Sequence, residues 1–109
     1  MSVPLTQALG PMFTKLPRVW GASSNEGFTV HRIGSPMTQF AIEYSERGRV
    51  LRYALDNLGP GSIQPIATSG IGPWLAPHAA EPIGPKEQSA IARRIVEAMQ
   101  FLGDPFQVA

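Results

Sequence analysis

The stretch Ile71-Gly-Pro-Trp-Leu-Ala-Pro-His-Ala-Ala-Glu-Pro-Ile-Gly-Pro85, running without a break into Lys86–Gly103, decides how this chain is read. Its first part is a proline-studded loop that carries a tryptophan. Its second part is the one segment with a sustained helical period. Ile91, Ala92, Ile95, Ala98, Met99 and Leu102 recur at spacings of three and four and form an apolar stripe, while Arg93, Arg94, Glu97 and Gln100 are expected to face away. Pro85 opens the helix at its first position, where a missing N–H costs nothing. Glu87 sits near the positive end of the macrodipole. Gly103 is placed just past the end, and Pro105 prevents continuation.

A helix with one apolar face needs a surface to cover, and the preceding residues supply it as strands. Phe28–Ile33 alternates, with Phe28 and Val30 on one face. Residues 38–45 place Phe40, Ile42 and Tyr44 together, and Arg49–Asp56 returns with Leu51, Tyr53 and Leu55 on one face. Glu46-Arg-Gly48 reads as a three-residue hairpin connection, with Gly48 suited to a left-handed position. Ile63–Thr68 is a candidate fourth strand, and Pro65, lacking an N–H, confines it to an edge or a bulge. The expected fold class is α+β: a small antiparallel β-meander of three to four strands with the C-terminal amphipathic helix packed on one face.

Residues 1–26 are read as an extended or partly ordered N-terminal arm ahead of a single α+β domain at 27–109. Pro4, Pro11 and Pro17 prevent a long helix there. Phe13 and Trp20 argue against free disorder, and two destinations stay open for them: this chain's own core or a partner.

Composition narrows the function classes. At 109 residues the chain is one domain, long enough to bury a core without staples. Charged residues make up 16%, below the usual share of about 25%, so part of the surface is expected to be covered by another chain. A net charge of +1 is no electrostatic signature for nucleic acid. With no cysteine there is neither disulfide nor thiolate chemistry. The N-terminus lacks a basic segment followed by an unbroken apolar run, and nothing else has the length of a membrane span, so a cytoplasmic address is expected.

Catalytic constellations are hard to assemble from these residues. His78 and Glu81 bring an imidazole and a carboxylate close together, but on a proline-rich loop rather than a helical face, and a metal held by them alone is under-ligated. We assign them no catalytic or metal role; the competing reading is a small enzyme built on the pair. The glycine pairs at 59/61 and 70/72 lack the helix N-terminus and lysine of a phosphate cradle. Ser69 has no nucleophile-elbow context. No cofactor is expected. Arg47, Arg49 and Arg52 lie near Tyr44 and Tyr53, a pattern able to stack single-stranded nucleic acid. The tyrosines belong to the face assigned to the core, however, and Glu43 and Glu46 cancel much of the field. Trp74, between Pro73 and Pro77, admits two readings: a plug between helix and sheet, or a rigid interface anchor.

Taken together, the strands, the Ser69-Gly-Ile71 end, Trp74, Pro77-His78, Glu81-Pro-Ile83 and a helix closing on Ala98-Met-Gln-Phe-Leu-Gly103 resemble a known pattern. It is that of small bacterial immunity proteins of polymorphic-toxin and contact-dependent inhibition systems. The resemblance spans residues 28–108 and is specific in order and spacing between Ile71 and Gly103. It implies a non-catalytic protein that binds and neutralises a cognate toxin domain by steric occlusion. Partner-contacting residues are expected at Trp74, Pro77, His78, Glu81, Arg49 and Arg52. The alternative is a structural or oligomeric interaction module, with the oligomeric state left open.

Overall fold

The computed structural model describes residues 12–35, 37, 39–56, 58–59 and 61–109. The first part of the expected arm (1–11) and Thr38, at the start of the expected second strand, lie outside the described residues.

Five strands form one antiparallel sheet in sequence order: β1 (Phe13–Lys15), β2 (Gly21–Ser24), β3 (Phe28–Ile33), β4 (Ala41–Glu46) and β5 (Arg49–Ala54). The meander is therefore longer than the three to four strands expected, because residues 13–24, read as part of an arm, pair with β3 as a hairpin. Side chains alternate across the sheet. Ala22, Phe28, Val30, Ile42, Tyr44 and Leu51 point to one face and are buried.

The β4–β5 connection is tighter than expected. Glu46 pairs directly with Arg49, leaving the two-residue loop Arg47-Gly48 with positive φ at both positions (50° and 78°). Left-handed backbone at both central residues matches the twist of the flanking strands, which explains the glycine at 48.

Helix α1 (Pro85–Phe101) lies on the apolar face, over β2 and β3. The expected stripe is buried except for Leu102, which is half-buried, and Val96 joins it. Pro85 occupies the first turn, as expected. At the other end Gly103 has φ 91°, its N–H donates to Gln100 O (2.9 Å), and Asp104 N–H donates to Met99 O (2.9 Å). This paired closure satisfies carbonyls that the helix end leaves unpaired. Arg94 corrects its assignment: it does not face away but reaches the sheet, donating to the Tyr44 hydroxyl (3.0 Å) and Glu46 Oε1 (3.3 Å).

The candidate fourth strand is also corrected. β6 (Gln64–Ile66) does not extend the meander but pairs in parallel with β7 (Phe106–Val108), a strand not expected from the sequence. Pro65 has no N–H to give, and the ribbon is held by Gln64 N–H to Pro105 O (2.8 Å) and Ala109 N–H to Ile66 O (3.0 Å), on either side of it. The ribbon brings Ile66 and Phe106 into the core.

Candidate functional site

Between a one-turn 3-10 helix (Thr68–Gly70) and α1, the proline-rich loop runs along the β5 edge of the sheet, where Leu75 N–H donates to Val50 O (2.7 Å). Gln88 of α1 holds its other side through Ile71 O (3.0 Å). The peptide bonds before Pro73 and Pro77 are cis. Backbone bonds His78 N–H to Leu75 O and Glu81 N–H to His78 O, both 3.0 Å, fold the tip into successive turns. That winding puts the His78 and Glu81 side chains side by side, joined by an Nδ1–Oε2 hydrogen bond.

Trp74 is the anchor. It is 1% exposed, its ring stacks on Tyr44 with centroids 6.4 Å apart, and the Arg49 guanidinium sits over it at 4.4 Å. Trp74 thus plugs the core, and any partner would meet the residues it holds up. Among the described residues its enclosed Nε1 has no hydrogen-bond partner, and part of that cost is offset by the stacking and cation contacts.

Arg49 is the electrostatic hub. It pairs with Glu81 (3.2 Å), Glu46 (3.3 Å) and Glu87 (3.6 Å). Desolvation alone would lower its pKa, but hydrogen bonding and attraction to those carboxylates raise it. Glu81 is held below the ordinary carboxylate range, first by its hydrogen bond to His78 and then by Arg49. Behind them burial pushes the Tyr44 phenol well above its ordinary value, with the hydrogen bond to Glu46 adding to the effect. Leu75, Pro77 and Pro82 are exposed around the His78–Glu81 pair. The surface is thus a small apolar rim about a fixed ion-pair cluster.

The structure brings together Trp74, Pro77, His78, Glu81 and Arg49, and separates Arg52 from them. Arg52 sits one residue out of phase with Leu51, so it points to the opposite face, where it pairs with Glu43 (3.0 Å) beside His31. The tyrosines are turned inward: Tyr44 is fully buried, and the half-buried Tyr53 hydroxyl accepts from Ala67 N–H (2.8 Å). A stacking platform for nucleic acid is accordingly not formed by these two rings. Glu46 and Glu87 escaped sequence reasoning, because only the fold brings the hairpin turn, the loop and the helix to one point. Among the described residues no group of three or more His, Asp or Glu side chains could hold a metal ion, and no helix is long and apolar enough to cross a membrane.

No protein-family model, no curated protein and no solved structure matches this chain.

Proposed function

We propose that this chain is a non-catalytic immunity-type protein, which binds a cognate bacterial toxin domain in the cytoplasm of the producing cell and neutralises it by steric occlusion. The observation that carries the reading is the construction of the 71–84 loop. Its exposed tip is pinned by a buried tryptophan, a backbone bond to the sheet edge and the Arg49–Glu81 pair. A surface fixed in this way loses little conformational entropy on binding, which favours affinity. The resemblance of residues 71–103 to immunity proteins supplies the class of partner. Arg49, Leu75, Pro77, His78 and Glu81 form the contact face, with no chemistry performed there.

The test is co-expression with the variable C-terminal domain of a large secreted protein encoded directly upstream. Protection of growth is expected; cells that die at the same rate with and without this chain would sink the reading. If the His78–Glu81 pair instead performed catalysis, alanine at both positions would abolish a measurable turnover.

One observation favours self-association as a second reading. Met12, next to Phe13 in the chain, and Phe101 are 54% and 49% exposed, and the Phe13 ring lies 5.5 Å from that of Phe101. Apolar side chains grouped at a sheet edge suit an interface. Sedimentation would show a dimer that Phe101→Glu dissociates; a monomer at all concentrations rules it out.

A further inference from the structure

At the end of the sheet remote from Arg49, a cleft of about 160 Å³ opens between the β3 and β5 ends and the ribbon. Through Arg32, Phe40 and Asp104 it continues into a more open hollow of about 330 Å³ against Trp20 and Gly34. Its lining is mixed: Phe40, Leu55, Leu58 and Phe106 supply apolar wall, Ser62 and Gln64 are polar, and the charged groups are Arg32, Asp56 and Asp104. Two carboxylates against one guanidinium leave the cleft with an excess negative charge. Lys15 stands over the outer Trp20 ring at 4.7 Å and does not line it.

Gln64 marks this cleft as more than a crease between acidic residues. It is 7% exposed, and its Nε2 donates to Asp56 Oδ2 (3.4 Å) and Pro65 O (2.9 Å). Both partners only accept, which fixes the orientation of the amide. Gln64 lines the cleft, and its Oε1 takes no hydrogen bond among the described residues. A carbonyl so placed calls for a donor. Arg32, over the Phe40 ring at 4.1 Å, makes no ion pair among the described residues. One oxygen of Asp104 is occupied by Trp20 Nε1 at 2.7 Å.

We propose that this cleft receives a single lysine side chain projected by a protein partner. The ammonium donates to Asp56 and to Gln64 Oε1, the methylene stem lies along Phe40, Leu55 and Phe106, and Arg32 donates to a backbone carbonyl of the incoming segment. The size fits. A cavity of about 150 Å³ holds a benzene-sized group, comparable to the roughly five heavy atoms of a lysine side chain. The charge fits as well, since one added cation cancels the excess of one carboxylate. This inference does not rest on the toxin reading, and its test uses no toxin.

The experiment titrates the full chain, labelled with nitrogen-15, with acetyl-Gly-Ala-Lys-Ala-Gly-amide, its norleucine analogue, and n-butylammonium. The lysine peptide is expected to shift the Gln64 side-chain amide saturably. Norleucine, which keeps the stem and loses the charge, is expected to bind about tenfold more weakly. Asp56→Asn should weaken the lysine peptide by a similar factor, while Arg32→Ala weakens the peptide and leaves n-butylammonium unchanged. Absence of saturation by the lysine peptide would overturn the proposal, as would equal binding of the norleucine peptide. Binding of n-butylammonium as tight as that of the peptide would overturn the assignment to a partner's side chain. The norleucine comparison uses the unmodified protein and so is immune to any folding defect of the variants.

Discussion

The Arg49 guanidinium covers the Trp74 ring at 4.4 Å while holding Glu81 at 3.2 Å, so one side chain joins the core to the exposed tip of the loop. Removing the aromatic beneath it should be felt throughout the fold. Trp74→Ala empties a fully buried site and is expected to cost about 3–5 kcal/mol in denaturant unfolding. Trp74→Phe should cost less than half as much, because it keeps the stacking and removes an unpaired N–H. Equal losses for the two would show that packing against Tyr44 is not what holds the loop.

Arg49→Ala strips Glu46, a carboxylate with a side chain only 12% exposed, of one cationic partner and uncovers Trp74. It should lower the thermal midpoint clearly more than Arg52→Ala, whose side chain is 56% exposed and pairs on the outer face. Arg49→Lys should recover only part of the loss, since an ammonium cannot fork between carboxylates while covering a ring. Calorimetric scans of the three variants check the order.

The pH response follows from the directions of the shifts. Glu81 is held below the ordinary carboxylate range in the folded chain, so its contribution is present at neutral pH. It is lost as the pH falls from that range through the folded value. Glu81→Gln should flatten this acid-side decline. Tyr44 has the opposite sign: its phenol is raised, so its contribution is complete below its ordinary value of 10.0 and is lost as the pH rises above it. Alkaline unfolding should therefore be less steep in Tyr44→Phe. Unfolding midpoints measured across pH test both signs together.

Gly21 probes whether the first hairpin belongs to the fold. A Cβ at this position would meet His31 Cβ at 2.4 Å and Val30 O at 2.6 Å. Neither neighbour is the far end of a flexible side chain, so Gly21→Ala must push β2 away from β3, at a cost of roughly 1–3 kcal/mol. Unchanged unfolding would mean that β1 and β2 contribute nothing to the cooperative unit.

The helix was legible because its period, its opening proline and its closing glycine all agree on the same bounds. The β4–β5 hairpin was legible for a related reason: Ile42, Tyr44, Leu51 and Tyr53 alternate around a glycine turn. β1 and β2 were not. Gly21-Ala-Ser-Ser24 has little intrinsic strand preference and pairs because β3 offers an edge and Ala22 fits beneath the helix. β7 is three residues long and forms only because the chain reversal at Gly103 carries it back to β6. At the candidate site, His78 and Glu81 were legible as neighbours. Their tie to Arg49, and the inward turn of Trp74, depend on contacts between segments distant in the sequence.

Calorimetric titration of a cognate toxin domain with the unmodified chain and with His78→Asp/Glu81→Lys tests the central proposal most directly. The double variant changes the charge of the tip while leaving Trp74 and the core in place. Binding at least about tenfold weaker is expected, with the far-ultraviolet dichroism of the folded protein unchanged. A folded double variant that binds as tightly as the unmodified chain would contradict it.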